Sequence, residues 1–458
     1  MRGEKIIEVS AAASTRRHAE TIQRRWSRVT MLVVSIAVGS VWLSGAGSDA
    51  SVVWPGNPVA ANAAAGPSGS GANALQASDT IMTSATVGSS AVRSHPVPLA
   101  KISSDYVTTD VGCAASRSAG DLEKFFAARL GPIIGFDSPR VYPLGSDRYL
   151  WMLQDTFIDY TRTATTMNSA TYTNSTALLQ IGTCFTQIQR GEPFKAWSVE
   201  PGNGESFTHF FWPAGGSVDG NRIKIFWIEV IRDAPTGNPW DGVNVHPAST
   251  WLATYDLTSF ERLSFEPAPN PGVFPIVGFD AVDGPDGYTY LFGNTFLQNF
   301  ALEGGFDNKP HSATVMTLAR VPRGKLEQAP EFRTATGWSG RAADAVAITS
   351  RFDAENIMHP TYINGGWVSA TKPNGFLGTT VLVEAAPNPW GPWTTVASVP
   401  ATPRGDPADV VTYAPIVLPW STADGGAIVM LSQIDSAWES HNGGDPARYR
   451  PRVFLVPL

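Results

Sequence analysis

Two similar stretches of the sequence each place acidic or amide side chains at both ends of a pair of apolar runs. The first, GFDSPRVYPLGSDRYLWMLQDTF, carries Asp137 near its start and Asp155 near its end. The second, GFDAVDGPDGYTYLFGNTF, carries Asp280 and Asn294 at the matching positions. If each stretch folds as a hairpin, its first and last side chains lie at the same edge of the sheet. The pattern predicts a group of carboxyl side chains that act together at that edge.

A pair of carboxyl groups that face each other across a shallow pocket is the minimum apparatus for hydrolysing a glycosidic bond. One carboxyl group donates a proton to the leaving oxygen, while the other activates water or attacks the sugar itself. A separation of about 5–5.5 Å between the two groups gives retention of configuration, and about 6.5–9.5 Å gives inversion. The sequence therefore predicts the chemistry and leaves its stereochemistry open.

Five carboxylates are the candidate catalytic residues. Asp137 is the candidate base or nucleophile because it opens the first strand of the first unit. Glu205 and Glu355 compete for the role of acid, whereas Asp155 and Asp280 are expected to modulate pKa values or to accept hydrogen bonds from sugar hydroxyls. Each of them could instead simply cap a turn. The catalytic interpretation therefore depends on their meeting at one rim.

Further side chains fall at the same ends of the predicted strands and are candidates for binding a substrate. They are His209, Trp212, Glu229, Asn294, His359, Lys372 and Tyr413. Each has a structural alternative, since a histidine or tryptophan is often a packed core residue and a lysine is often only solvated. The chain has two cysteines and seven histidines without HExxH or HxH spacing, so we expect neither a metal nor a cofactor.

A repeated β unit must position these side chains, and the sequence contains five copies of one. The copies lead with Asp137, Phe207, Asp280, Met358 and Tyr413. In each copy an apolar run is followed by a turn (GSD, DGN, PDG, NGG or DGG), a second apolar run and a third. Repeats of this length with several strands each indicate a propeller or an array.

The five units predict an all-β, five-bladed β-propeller. Four units show a candidate fourth strand (AWSVEP, LSFEPAP, FRTATGW and WTTVASVP), and the last unit lacks one because the chain ends. We expect an N-terminal strand from residues 100–112 to close the ring by completing the last blade. Residues 118–131 predict a helix with Asp121 as its N-cap. Two tandem β-sandwiches are the second interpretation, disfavoured because residues 113–458 contain no linker.

The N-terminal region has the composition of a targeting segment. Residues 1–48 combine a cationic stretch with the apolar run VTMLVVSIAVGSVWLSGAG, which predicts a signal peptide or a membrane anchor. Residues 49–98 are rich in Ala, Gly, Ser and Pro and predict a disordered tether to a propeller at 99–458. We therefore expect a protein secreted or anchored on the outer side of the plasma membrane. In that compartment Cys113 and Cys184 either form a disulfide or remain two buried thiols.

The charge of the chain excludes some partners. The formal net charge is −7, and the first 30 residues hold seven Arg and Lys against three Glu, so the remainder is more acidic still. An acidic body argues against nucleic acid and anionic lipid. We expect a monomer that binds a neutral polysaccharide and touches the membrane only through its N-terminal anchor.

Two motifs resemble those of known glycosidases. FDSP at the first unit and APNPWGPWTTV later in the chain resemble the furanosidase-type propeller glycosidases, including arabinanases and arabinofuranosidases. That resemblance implies an Asp in the first blade, an Asp two units on and a Glu as the acid, in the positions of Asp137, Asp280 and Glu355. The chain departs from the pattern in the Ser that follows Asp137 and in the sequence around Glu355.

A narrower resemblance concerns LWMLQDTF and YLFGNTF. These are similar to the FGDT-like strand of a secreted bacterial family, formerly a domain of unknown function, whose characterised members are similar to endo-D-arabinanases of mycobacterial-type cell walls. The resemblance covers residues 113–458 and implies a glycoside hydrolase that cleaves furanosidic linkages of arabinan or arabinogalactan in the cell envelope. The alternative is a non-catalytic carbohydrate-binding propeller at the cell surface.

Overall fold

The structure is a computed structural model of the chain. It describes residues 101–190, 209–232, 245–270, 276–294, 314–351, 357–373, 378–407, 409–435 and 444–458. The predicted anchor and tether, over 1–48 and 49–98, lie outside these ranges.

None of the helices in the described ranges combines the length and the apolar character that crossing a membrane requires.

The described strands form five antiparallel sheets, which are the five blades of a propeller. The first blade consists of β1 (Tyr106–Cys113), β2 (Ile133–Gly145), β3 (Arg148–Ile158), β4 (Thr171–Ile181) and β5 (Cys184–Arg190). The second consists of β6 (His209–Asp219), β7 (Arg222–Arg232), β8 (Val245–Asp256) and β9 (Arg262–Pro267). The predicted propeller is therefore confirmed, and each blade begins with its innermost strand apart from the added β1.

The other three blades follow the same plan. The third consists of β10 (Ile276–Asp283), β11 (Tyr288–Asn294), β12 (Thr314–Pro322), β13 (Glu331–Arg333), β14 (Trp338–Ser339) and β15 (Thr349–Arg351). The fourth consists of β16 (His359–Ile363), β17 (Gly366–Thr371), β18 (Thr380–Ala386) and β19 (Thr394–Pro400). The fifth consists of β20 (Val410–Val417), β21 (Ala427–Asp435) and β22 (Arg452–Val456).

Short helices complete the described elements. The α-helix α1 spans Ala119–Ala127, and 3₁₀ turns span Met167–Ser169, Ala342–Asp344 and Pro446–Tyr449. The N-cap of α1 is Ser118, whose Oγ accepts a hydrogen bond of 3.2 Å from the backbone N–H of Asp121. The prediction of Asp121 as the N-cap is therefore wrong, because its carboxylate lies within the first turn.

All five predicted hairpin turns separate the first and second strands of their blades. The predicted fourth strands differ more. LSFEPAP and WTTVASVP are found in β9 and β19, and FRTATGW is split between the short β13 and β14. AWSVEP lies outside the described residues, and the fourth strand of the first blade is instead CFTQIQR, β5.

The hydrophobic core is divided among the gaps between neighbouring blades. Phe211, Trp227 and Leu150 are fully buried between the first and second blades. Trp151 packs with Met430 of the fifth blade across the junction where the ring closes. Burial of each such large side chain contributes about 1.5–3 kcal/mol. Packing between blades therefore stabilises the ring.

The innermost strands surround a central channel. They contact one another in the order β2, β6, β10 and β16, and β16 contacts β20. The channel contains about 200 Å³ of open space, lined by residues of all five inner strands. Gly215 permits the close approach of β6 and β10, because a Cβ atom there would lie 2.3 Å from the backbone N of Ala281. The side chains at the ends of these strands are thereby brought around one mouth.

The ring closes differently from the expectation. Residues 100–112 are predicted to complete the fifth blade, but the strand found there, β1, pairs with β5 on the outer edge of the first blade. A disulfide joins Cys113 of β1 to Cys184 of β5. Of the two alternatives predicted for the cysteines, a disulfide or two buried thiols, the structure has the disulfide. Among the described residues, the N-terminal strand therefore belongs to the first blade and not to the fifth.

Helix α1 covers the open edge of the fifth blade instead. Its Glu123 accepts a hydrogen bond of 2.6 Å from the backbone N–H of Val453 in β22, and it pairs with Arg404 and Arg452 at 2.8 and 2.9 Å. A carboxylate thus satisfies an edge N–H group that a further strand would otherwise bind. Side chains, not a further strand, therefore close the junction between the fifth and first blades, next to the inner strand β2.

Candidate functional site

Asp137 and Asp155 lie at the same rim of the first blade, as the hairpin pattern predicts. The β2–β3 ladder pairs Asp137 with Gln154, so Asp155 is one residue farther along the neighbouring strand. The two carboxyl groups are close enough for the charge of Asp155 to affect the protonation of Asp137. The hairpin therefore brings together two of the five candidate acids.

The carboxyl group of Asp137 is buried, with 8% of the residue exposed. Its Oδ2 accepts a hydrogen bond of 2.7 Å from the hydroxyl of Tyr413 in β20, and its Oδ1 has no hydrogen-bond partner among the described residues. Burial, and then the neighbouring Asp155, raise the pKa of Asp137 well above its usual range, although Tyr413 and Tyr449 oppose this. These surroundings favour a protonated Asp137.

Asp155 has the opposite environment. It is only partly buried, and its Oδ1 accepts hydrogen bonds from the hydroxyl of Tyr172 at 2.6 Å and from the indole N–H of Trp212 at 3.1 Å. Hydrogen bonds donated to a carboxylate favour its charged form. The pair therefore combines one carboxyl group that favours its proton with one that favours ionisation.

The backbone is strained at this rim. Ser138, Asp155 and Ala414 have φ angles of 36°, 39° and 43°, and they are the non-glycine residues of the described strands with positive φ. The other non-glycine residues with positive φ lie in turns and connections. Such a conformation costs about 1–3 kcal/mol at a residue with a side chain and is common at functional sites. Ser138 directly follows Asp137, Ala414 directly follows Tyr413, and the third strained residue is Asp155 itself.

Tyr449 completes the wall beside Asp137. It follows the fifth blade's second strand in a 3₁₀ turn and is 3% exposed. A Cβ atom at Gly135 would lie 2.9 Å from the Tyr449 ring, so glycine is required for this close approach. Burial, and then the charge of Asp137, raise the pKa of Tyr449 well above its usual range, so it remains a neutral hydroxyl.

Asp280 and His359 lie deeper, in the wall of the channel, together with Arg140. Nη1 of Arg140 donates a hydrogen bond of 2.8 Å to Oδ1 of Asp280, and Nδ1 of His359 lies 2.7 Å from that Nη1 and 3.1 Å from Oδ2 of Asp280. The guanidinium also stacks on the ring of Phe279 at 4.6 Å. The three groups thus form one buried polar cluster in the channel wall, in which Nε of Arg140 has no hydrogen-bond partner among the described residues.

The charges of this buried cluster balance. Burial alone would raise the pKa of Asp280, but the charges of Arg140 and His359 outweigh it and lower that pKa. Burial, aided by Arg140, lowers the pKa of His359 although Asp280 opposes it. Asp280 is therefore an ionised partner of Arg140, and it is not a proton donor.

His209 and Glu229 form a separate pair in the second blade. Nε2 of His209 lies 2.6 Å from Oε1 of Glu229, whose Oε2 accepts hydrogen bonds from Ser249 and Trp251. Burial would raise the pKa of Glu229, but the hydrogen bonds from Ser249, His209 and Trp251 outweigh it and lower that pKa. Glu229 is thus a fixed carboxylate.

The remaining predicted residues fall into two groups. Asn294 and Lys372 are 0% and 1% exposed at the ends of the second strands of their blades, so they are buried groups and not open rim positions. Glu205 and Glu355, the predicted acids, lie outside the described residues. In the described ranges, no three His, Cys, Asp or Glu side chains are grouped to hold a metal ion.

Three residues of the site were not predicted from the sequence. Arg140 lies three positions after Asp137 in the same inner strand. A basic residue at that position of an inner strand could have indicated a partner for a buried carboxylate in the channel. Tyr172 is paired with Phe157 across the β3–β4 ladder and could have been found by extending the hairpin. Tyr449 could not be found from the sequence around Asp137, because it lies near the other end of the chain and approaches Asp137 only in the folded protein.

The chain matches a family model, but no curated protein sequence. A family model described as a domain of unknown function (DUF5005) matches residues 121–457. No curated protein sequence is significantly similar to the chain.

Solved structures resemble the fold. A protein from Bacteroides ovatus ATCC 8483 named as a candidate hydrolase is 17% identical, with 73% of this chain and 89% of that chain covered and a TM-score of 0.55. A GH43 protein, BlXynB from Bacillus licheniformis, is 13% identical, with coverages of 71% and 53% and a TM-score of 0.42. The α-L-arabinofuranosidase PaAbf62A from Podospora anserina is 11% identical, with coverages of 77% and 96% and a TM-score of 0.36. At these identities the first similarity supports the fold alone.

Proposed function

The chain belongs to the DUF5005 family, and from the geometry of its rim we propose that it is a glycoside hydrolase. The observation that carries this proposal is the pair formed by Asp137 and Asp155. One carboxyl group is buried and favours its proton, while its neighbour accepts two hydrogen bonds that favour ionisation. Two carboxyl groups whose environments separate their pKa values can supply the acid and the base or nucleophile that hydrolysis of a glycoside uses.

In this mechanism Asp137 is the acid. Its proton passes to the glycosidic oxygen as the bond from that oxygen to the anomeric carbon breaks. Asp155 either takes a proton from the water that attacks the anomeric carbon or attacks that carbon itself, giving an ester that water then hydrolyses. The sequence-based role of Asp137 was base or nucleophile, and burial together with the neighbouring charge favours the reverse. Glu205 and Glu355 remain candidate acids.

The buried cluster below the rim has a supporting role. Asp280 neutralises Arg140, and His359 contacts both of them in the channel wall. We assign Asp280 to electrostatic modulation of the rim, in keeping with one of its two expected roles. A protonated Asp280 would leave the Arg140 charge uncompensated, so Asp280 is not part of the proton-transfer pair.

We propose arabinan-type furanosidic linkages as the substrate class. The support is the resemblance of FDSP and APNPWGPWTTV to the furanosidase-type propellers, together with an acidic chain suited to a neutral glycan. A cell-envelope polysaccharide fits the predicted export of the protein, secreted or held by its N-terminal anchor. The finer assignment, an enzyme similar to an endo-arabinanase, rests on the same motifs.

The test is release of sugar from arabinan and arabinogalactan by the purified full-length protein. Asp137→Asn and Asp155→Asn should each lower kcat by about 10²–10⁴-fold, the usual contribution of an acid or base. The matched control is Asp286→Asn in the β10–β11 turn, at the end of the blade away from the rim, where the carboxylate accepts a hydrogen bond from Tyr290. This variant should retain full activity.

Two results would contradict hydrolysis. Binding of either glycan without release of sugar would favour the carbohydrate-binding alternative. Release that persists in both rim variants would separate the activity from this carboxyl pair, and it would direct attention to Glu205 and Glu355.

A further inference from the structure

Two blades donate hydrogen bonds to one carboxylate oxygen. The hydroxyl of Tyr172, in β4 of the first blade, lies 2.6 Å from Oδ1 of Asp155, and the indole N–H of Trp212, in β6 of the second blade, lies 3.1 Å from the same oxygen. The same hydroxyl lies 2.9 Å from the side-chain oxygen of Asn174. The carboxylate is therefore held from two directions by groups that are fixed in strands.

The backbone of Asp155 also departs from its strand. Its φ is 39°, and the β3–β4 ladder pairs Gln154 and Thr156 with β4 while leaving out Asp155 between them. A residue held in a sparsely populated conformation persists only where surrounding contacts over-determine it. The two hydrogen bonds to Oδ1 are such contacts, because they orient the side chain that the strained backbone presents.

We infer that Tyr172 and Trp212 are positioning residues that fix the orientation of the Asp155 carboxylate and keep it the ionised member of the rim pair. The inference rests on the proposed function of Asp155 as base or nucleophile. It differs from the substrate-binding role predicted for Trp212, since the indole N–H is directed at a carboxylate and the ring packs edge-on against Phe210 with 5.6 Å between centroids.

The charge balance at the rim explains why two donors matter. Among the described residues, titratable groups that face Asp155 include Asp137, Tyr172, Tyr413 and Tyr449. Adjacent carboxyl groups share a proton unless their surroundings separate them. Burial favours the proton on Asp137, and the donors to Asp155 favour the charge there. Tyr172 and Trp212 thus help to decide which carboxyl group is the acid and which is the base.

The inference is tested with Tyr172→Phe and Trp212→Phe, each of which removes the donor and keeps a ring in place. The matched control is Tyr290→Phe, which removes a tyrosine hydroxyl that donates to Asp286 at 2.6 Å, away from the rim. Thermal melting of the three full-length variants checks that each is folded. Tyr172→Phe alone suffices if Trp212→Phe does not fold.

The first readout needs no substrate. The carboxyl carbon of Asp155 is followed by NMR in protein labelled at aspartate, with its signal assigned by its loss in Asp155→Asn. Removing a donor that favours the charged form should move the titration midpoint of Asp155 to higher pH in both rim variants and leave it unchanged in Tyr290→Phe. An unchanged midpoint in Tyr172→Phe and Trp212→Phe would overturn the inference.

The second readout uses arabinan and 4-nitrophenyl α-L-arabinofuranoside. We expect kcat to fall by about ten- to a hundredfold in each rim variant, as for loss of a hydrogen bond to a charged group, with little change in KM. The acid limb of the kcat/KM profile should move to higher pH. A rise in KM alone, with the Asp155 titration unchanged, would overturn the inference and make Trp212 a sugar contact.

The two readouts separate this inference from the proposed function. If the wild-type protein releases no product from either substrate, the hydrolase proposal fails at that point. The NMR titration still shows whether the two donors control the ionisation of Asp155, and its result decides that part independently.

Discussion

The hydroxyl of Tyr413 donates a hydrogen bond of 2.7 Å to Oδ2 of Asp137, although 276 positions separate the two residues in the chain. The bond joins the inner strand of the fifth blade to the inner strand of the first, at the junction where the ring closes. The carboxyl group proposed as the acid is therefore completed by the last blade. The chemistry of the rim depends on closure of the whole propeller.

Tyr413→Phe should change the pH dependence of catalysis. The Tyr413 hydroxyl favours the charged form of Asp137, so its removal raises the pKa of Asp137 further. Because Asp137 acts as the acid, the alkaline limb of the kcat/KM profile should move to higher pH, and kcat should fall several-fold. The profile is measured with 4-nitrophenyl α-L-arabinofuranoside. A shift of the acid limb alone would contradict the assignment of Asp137 as the acid.

Asp137→Asn should stabilise the protein increasingly as the pH rises. The pKa of Asp137 is raised in the folded state, so the unfolded chain releases this proton first, and the wild-type protein loses stability as the pH rises above about 4. Asparagine does not titrate and removes this loss. Melting temperatures measured between pH 4 and pH 8 should show a gap that widens in favour of the variant. A constant gap would indicate that the folded-state pKa is close to the unfolded one.

Asp280→Asn should destabilise the fold. The substitution leaves the guanidinium of Arg140 buried without its carboxylate partner, and loss of one member of a buried ion pair costs about 3–5 kcal/mol. Urea denaturation measures the free energy of unfolding. Asp344→Asn is the control, because the interactions of Asp344 are exposed: a contact of 3.9 Å with Arg341 and a hydrogen bond of 2.6 Å from the hydroxyl of Ser339. This substitution should change the stability by less than about 1 kcal/mol. Equal effects of the two substitutions would contradict the buried ion pair.

Glu123→Gln should weaken closure of the ring. Glu123 of helix α1 bonds Arg404, Arg452 and the backbone N–H of Val453, and its side chain is 23% exposed. We expect a loss of about 2 kcal/mol in the free energy of unfolding, less than the sum for buried bonds because water reaches the group. The neighbouring Lys124→Gln is the control, because that side chain is 82% exposed. A loss no greater than the control's would show that α1 does not close the ring.

The local features of the sequence predicted the repeated architecture well. Turns such as PDG and DGG, and the apolar runs around them, specify hairpins through interactions among residues close in the chain. The antiparallel arrangement then places Asp137 and Asp155 at one rim without further information. The fourth strand of the first blade was missed because CFTQIQR is short and follows the third strand closely.

The sequence by itself determined the five repeated hairpins, the rim on which Asp137 and Asp155 lie and the pairing partners available to the two cysteines. The tertiary structure alone decided that Tyr413 bonds Asp137, that Trp212 bonds Asp155 and that β1 joins the first blade. The reason is physical: these contacts join residues of different blades or add a separate strand to the outer edge of one blade, and they depend on how whole sheets pack and close. Local hydrophobic patterns and turns do not encode that packing residue by residue.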